Sequence, residues 1–221
     1  MTSFLAILVL GFVLGMRHAT DPDHVIAVTT IVAREKTPSG ATAIGAAWGL
    51  GHTITILVVG GGIILFGWVI PPRIGLSMEF SVGLMLIVLG IMNLTGVMRR
   101  IGASRVIRGA EHQHTHPLVR PLAVGVVHGL AGSAAVALLV LTTIRNPAWS
   151  LWYLLVFGLG TIVGMMLMTA VIVVPFTRTD RRFSRFEGGF RVASGVVSLG
   201  FGLFVAYRIG IVDGLFTGGA R

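Results

Sequence analysis

Cysteine is absent from this chain, so disulfides, thiolate metal sites and thiol redox chemistry are excluded. Acid is scarce: eight Asp and Glu stand against seventeen Lys and Arg, and charged residues of both signs make up only 11 %. Hydrophobic residues reach 54 %, and they fall in blocks of about twenty or more instead of amphipathic stripes, the pattern of a polytopic helical membrane protein. The 221 residues leave room for one helical domain and no appended soluble one. No phosphate-binding Gly-x4-Gly-Lys-Ser/Thr loop is present. A basic leading region is also missing: Phe4 to Leu14 has the length of a signal-peptide core, but Arg17-His18-Ala19 is a poor cleavage site. The segment is expected to be the first half of a retained span.

A formal charge of +9 would suggest nucleic acid in a soluble protein. Here the basic residues cluster between apolar segments, where the positive-inside bias explains them and nucleic-acid binding is discounted. Spans are expected over about Thr2–Ala33, Ala41–Ile70, Leu76–Met98, Leu118–Ile144, Leu151–Phe176 and Gly188–Ile211. The loops after spans 1, 3 and 5 hold Arg34 and Lys36, then Arg99, Arg100, Arg105 and Arg108, then Arg178, Arg181, Arg182 and Arg185. Those after spans 2 and 4 hold only Arg73 and Arg145. The expected topology is multi-pass in a bacterial cytoplasmic membrane, with both termini outside.

What is present, against this apolar background, is the octapeptide Arg17-His18-Ala19-Thr20-Asp21-Pro22-Asp23-His24. Ionisable groups inside a membrane segment are costly and mark ion or proton pathways. Span 1 is too long for a straight helix across a core of roughly 30 Å. Pro22 lacks an amide hydrogen and clashes with the carbonyl of His18, so the helix should break within the motif. Non-helical backbone at that depth must be buried in protein or line a water-filled cavity.

Comparing the chain with itself at an offset of about 110 residues aligns His18 with His128, Gly49-Leu50-Gly51 with Gly158-Leu159-Gly160, and Leu89-Gly90 with Leu199-Gly200. Thr29-Thr30-Ile31 recurs, a few residues shifted, as Thr142-Thr143-Ile144. Residues 1–98 and 118–221 thus read as two three-helix repeats joined by a basic, His-containing cytoplasmic loop at 99–117. An odd number of spans per copy puts the copies in opposite orientations, the architecture of many secondary transporters. The expected fold is an all-α membrane protein of six transmembrane helices in a 3+3 inverted repeat, with span 1 broken at Pro22. The copies differ in one respect: Asp21, Asp23, His24 and His52 correspond to Ala131, Ser133, Ala134 and Thr161.

Imidazoles and carboxylates without sulfur suit borderline divalent metals, with nickel, cobalt, copper and zinc all admissible and magnesium or calcium less so. On a regular helix His18 and His24 would lie about 240° apart; a break at Pro22 lets both imidazoles, Asp23 and backbone groups surround one ion, with His52 approaching from span 2. Arg17 is assigned no ligand role. His128 stands alone in its span and is read as a hydrogen-bonded packing residue, kept as an accessory candidate with Thr29 and Asn93, which can satisfy backbone or line a path. His112, His114 and His116 alternate, so an extended loop would point them one way for weak metal binding, and a solvated polar loop accounts for them equally well. The methionines are core filler.

The stretch Gly15-Met16-Arg17-His18-Ala19-Thr20-Asp21-Pro22-Asp23-His24-Val25 resembles the His-Ala-x-Asp-x-Asp-His-Ile signature of the nickel/cobalt transporter (NiCoT) family, and Leu50-Gly51-His52-Thr53 resembles its Leu-Gly-His-Ser/Thr motif, in the same order and spacing. Typical members carry more spans and a Leu-Gly-Phe-Asp-Thr-Ala-Thr-Glu motif. Here its counterpart is His128-Gly129-Leu130-Ala131-Gly132-Ser133-Ala134, without either acid, a pattern similar to the shorter, urease-accessory-type nickel permeases. The resemblance implies a metal role for His18, Asp21, Asp23, His24 and His52. It implies a non-enzymatic permease importing nickel, or secondly cobalt, with the ion as transported substrate and no prosthetic group. An exporter of the same metals is the alternative; so is a non-transporting delivery partner of urease or hydrogenase maturation proteins.

Overall fold

The computed structural model describes residues 3–33, 35, 37–68, 70–95, 118–130, 144, 146–177 and 184–217, and the elements among them are all helical. They are α1 (Phe4–His18), α2 (Pro22–Val32), α3 (Pro38–Phe66), α4 (Pro72–Leu94), α5 (Val119–Gly129), α6 (Pro147–Thr177) and α7 (Ser184–Tyr207), the last continuing as a π-helical turn over Arg208–Val212. Among the described residues four segments are long and apolar enough to cross a membrane: Pro38–Phe66, Pro72–Leu94, Pro147–Val174 and Gly188–Val212. The pair α1 and α2 passes the same test together but is bent by 57°.

Proline sets the starts. Pro22, Pro38, Pro72 and Pro147 are each the first residue of their helix, where the missing N–H leaves nothing unpaired and the fixed φ suits the first turn. Spans 2, 3 and 5, expected to start at Ala41, Leu76 and Leu151, therefore begin three or four residues earlier. Span 2 also stops early: Gly67 at φ 64° ends α3 at Phe66 instead of Ile70. The expected span 4 is described only as α5, and its remainder lies largely outside the described residues.

The main packing partners are α3 with α6, α4 with α7, α1 with α6, and α3 with α5. Small residues let the backbones touch, as in membrane helix interfaces generally. A Cβ at Gly15 of α1 would collide with the carbonyl oxygen of Phe157 in α6, and one at Gly125 of α5 with that of Trp48 in α3. Likewise a Cβ at Gly51 meets the carbonyl oxygen of Leu122, and one at Gly160 that of Phe12. These two contacts of α1 against α6, Gly15 on Phe157 and Gly160 on Phe12, have counterparts about 110 residues displaced in α5 against α3, Gly125 on Trp48 and Gly51 on Leu122.

Large apolar side chains such as Val9, Val58, Val88, Leu159, Val171 and Leu203 stand exposed on the outside of the bundle. In water such a surface would aggregate; against lipid tails it is at home. The interior holds an apolar cluster of Ala27, Val28, Val32, Trp48, Leu86 and Met165, and beside it a set of buried histidines.

Candidate metal centre

The break in span 1 is built by three consecutive residues. Ala19 caps α1, donating its N–H to the carbonyl of Gly15, and the N–H of Thr20 turns back to the carbonyl of Arg17. Asp21 is extended at φ −61°, ψ 144° as the N-cap of α2, the conformation demanded of a residue before proline. Pro22 then opens the new helix. The 57° bend brings His18, the last residue of α1, against His24 in the first turn of α2, with ring centroids 4.5 Å apart.

His52 approaches from α3, in the helix-facing position of Leu50-Gly51-His52-Thr53. Its Nε2 lies 3.0 Å from His18 Nε2. Two ligands about 2.1 Å from one ion and at right angles to each other lie about 3.0 Å apart, so this pair has the spacing of neighbouring metal ligands. Asp21 Oδ2 accepts from His18 Nδ1 at 2.8 Å, which leaves the lone pair of His18 on Nε2 and aims it at His52. A carboxylate behind a metal-facing imidazole fixes its tautomer and raises its basicity. The Asp21 side chain is also the most open of the group, 39 % exposed against 5 % for His18.

On the other face of His24, Asp23 and His128 converge. His128 Nε2 is 2.9 Å from Asp23 Oδ2 and 3.3 Å from His24 Nδ1, and His24 Nδ1 is 3.2 Å from Asp23 Oδ1. Two ligand groups result, His18 with His24 and His52, and Asp23 with His24 and His128, each with its atoms within 4.8 Å of one another. His24, His52 and His128 are fully buried. Trp48 lies parallel to the His24 ring at 6.1 Å and edge-on to His128 at 5.6 Å, while Phe157 lies 5.5 Å from His18.

The cluster is under-satisfied as it stands. His24 Nε2, His52 Nδ1 and His128 Nδ1 are buried without a hydrogen-bond partner, at a cost of about 1–3 kcal/mol each. An ion that takes one imidazole nitrogen and repartitions the protons of the others relieves part of that cost. Imidazole with a single carboxylate remains the donor set of nickel, cobalt, copper or zinc.

The structure therefore gathers His18, Asp21, Asp23, His24 and His52 at one place. It places His128 beside them: the histidine read as a hydrogen-bonded residue is buried and has Asp23 and His24 as its partners, a neighbourhood whose signal in the sequence is its alignment with His18. The other accessory candidates lie elsewhere. Thr29 Oγ1 donates to the carbonyl of Val25 within its own helix. Asn93 Nδ2 donates to the carbonyl of Arg191 and to Ser194 Oγ, tying α4 to α7. His112, His114 and His116 fall outside the described residues.

Fold and cluster together define a class: a multi-pass helical membrane protein with a buried imidazole and carboxylate cluster at the break of a bent span. Comparison with known proteins narrows it. The chain belongs to the NicO family of high-affinity nickel-transport proteins, whose family model matches residues 4–122, in keeping with the motif resemblance. The match covers α1 to α4 and both motifs. The urease accessory protein UreH of Bacillus sp. (strain TB-90) is 40 % identical over 221 residues, covering 96 % of this chain and 95 % of that protein. No solved structure matches the chain.

Proposed function

We propose that the chain is a secondary permease that imports a divalent transition metal, nickel first and cobalt second, across the bacterial cytoplasmic membrane. The observation that carries this reading is the convergence of four histidines and two aspartates at the break of a bent, apolar span. His18, Asp23, His24 and His52 hold the ion, and Asp21 orients His18 from its more open position. Family membership favours nickel over the other metals that the donor set admits.

The paired glycine contacts and the matching partnership of α1 with α6 and α5 with α3 support a six-span, 3+3 inverted repeat with units at 1–98 and 118–221. The distribution of arginines supports both termini outside and the loop at 99–117 in the cytoplasm. The driving force is the membrane potential or a proton gradient, since the sequence has no nucleotide-binding loop. A potential negative inside attracts a dication by roughly 2.3 kcal/mol per charge per 100 mV. Apolar walls exclude bulk water, so the ligands replace the hydration shell one group at a time.

The name of the 40 % identical relative favours a link to urease maturation, and a non-transporting delivery partner is the second reading. Vesicles containing only this chain separate the two. Import predicts saturable flux of nickel, then cobalt, above zinc and manganese; no flux would overturn the permease. Expression in cells should raise nickel content, and a fall would make the chain an exporter.

A further inference from the structure

His24 is the only residue common to the two ligand groups, and its two ring nitrogens are placed differently. Nδ1 lies 3.2 Å from Asp23 Oδ1 and 3.3 Å from His128 Nε2. Nε2 has no partner and is the nitrogen left for His18 and His52, whose own Nε2 atoms are 3.0 Å apart. We propose that the ion occupies two successive positions on opposite sides of the His24 ring: first among His18, His24 and His52, then among Asp23, His24 and His128. His128 is thereby a ligand of the second position. The inference rests on the permease reading and extends it to the path that the ion takes within the site.

The backbone brings the two positions together from opposite sides of the membrane. His18 closes α1 and His128 lies one residue before the end of α5, so each is delivered at a helix C-terminus, the negative pole that favours a cation. In the proposed topology α1 descends from outside and α5 rises from inside. The same neighbourhood is repeated at both ends: Phe157 lies 5.5 Å from His18, and Trp48, its counterpart in the repeat, 5.6 Å from His128. The two positions differ in charge. The first offers three imidazoles with Asp21 behind His18, whereas the second places the Asp23 carboxylate directly on the ion. Moving inward, the dication exchanges two neutral ligands, His18 and His52, for one anionic and one neutral, Asp23 and His128, and keeps His24 throughout, so it is never stripped of every ligand at once. The two positions are too close to be filled together without strong repulsion, and one ion per chain is expected.

The test uses the full chain in detergent, with Co²⁺ as a visible-absorption probe, and the same protein in vesicles for Ni²⁺ flux. His128→Gln confines the ion to the first position and His52→Gln to the second; His128→Asn and His52→Asn serve as the second member of each pair, with thermal unfolding as the fold control. Each variant is expected to keep one Co²⁺ site, and the two are expected to give different spectra, one from imidazoles alone and one with a carboxylate. Flux should fall more than tenfold in both. Identical spectra, a loss of binding beyond a hundredfold in either variant, or unchanged flux in His128→Gln would overturn the two positions. If the parent chain itself carries no flux, the permease reading fails and the spectra alone decide between one position and two.

Discussion

The surroundings of His18 and those of His128 are built alike and equipped differently. Each histidine lies at, or one residue before, the end of a short helix that packs through a glycine, Gly15 or Gly125, onto the backbone of a long one, and both lie beside an aromatic ring, Phe157 or Trp48. Around His18 the chain adds Asp21, Asp23, His24 and His52; the aligned positions near His128 are Ala131, Ser133, Ala134 and Thr161. His52 reaches across to His18, whereas Thr161 spends its hydroxyl on the carbonyl of Phe157 in its own helix. In the proposed repeat the scaffold recurs and the ligand set does not: packing acts on both copies, while the proposed ion site takes polar groups from one and a single histidine from the other.

The sharpest way to break this comparison is to attack what the copies share. Gly15→Leu and Gly125→Leu each force a side chain into a backbone carbonyl, a form of overpacking that costs 1–3 kcal/mol or more. Both should lower the thermal unfolding temperature by similar amounts and leave little folded protein after detergent extraction. A large loss in one and none in the other would separate the two interfaces.

The next largest effect should come from what the copies do not share. His24→Ala removes the residue common to both ligand groups, and nickel accumulation by cells should fall to background while the protein still reaches the membrane. Titration of the purified variant checks this: affinity should drop by more than about a hundredfold, and retained binding would place the ion elsewhere. Asp21→Asn keeps the hydrogen bond to His18 but removes the charge behind it, so in the His128→Gln background, where only the first position is left, affinity should fall by about 10- to 100-fold, the usual cost of losing a group that orients a metal ligand. The smallest effect is expected at Asn93. Asn93→Ala deletes two bonds that tie α4 to α7 and should cost about 1–3 kcal/mol of stability. Its nickel affinity should match the parent, and a change would draw the α4–α7 seam into the site.

Much of the centre was legible beforehand because its cause is local. Pro22 obliges a break after His18, and the break is what lets residues six positions apart face one another. His52 enters as the histidine of span 2 that can approach this break, and its Leu50-Gly51-His52-Thr53 context resembles the second family motif. The helix starts were misjudged because hydropathy alone marks where apolar residues accumulate, while Pro38, Pro72 and Pro147 begin their helices in the less apolar flank. Thr29 and Asn93 were ambiguous for a general reason: a buried hydroxyl or amide bonds whatever backbone it meets, and only the packing says which.

His128 marks the boundary between the two kinds of information. Taken by itself the sequence determined an apolar helical chain, a hinge at Pro22 and a donor set of imidazole and carboxylate without thiolate, since these follow from composition and from the geometry of proline. Only the tertiary structure decided that a histidine 104 residues beyond His24 joins it at 3.3 Å. That contact depends on α5 seating Gly125 on the carbonyl of Trp48, a close backbone approach between distant segments that no local pattern encodes.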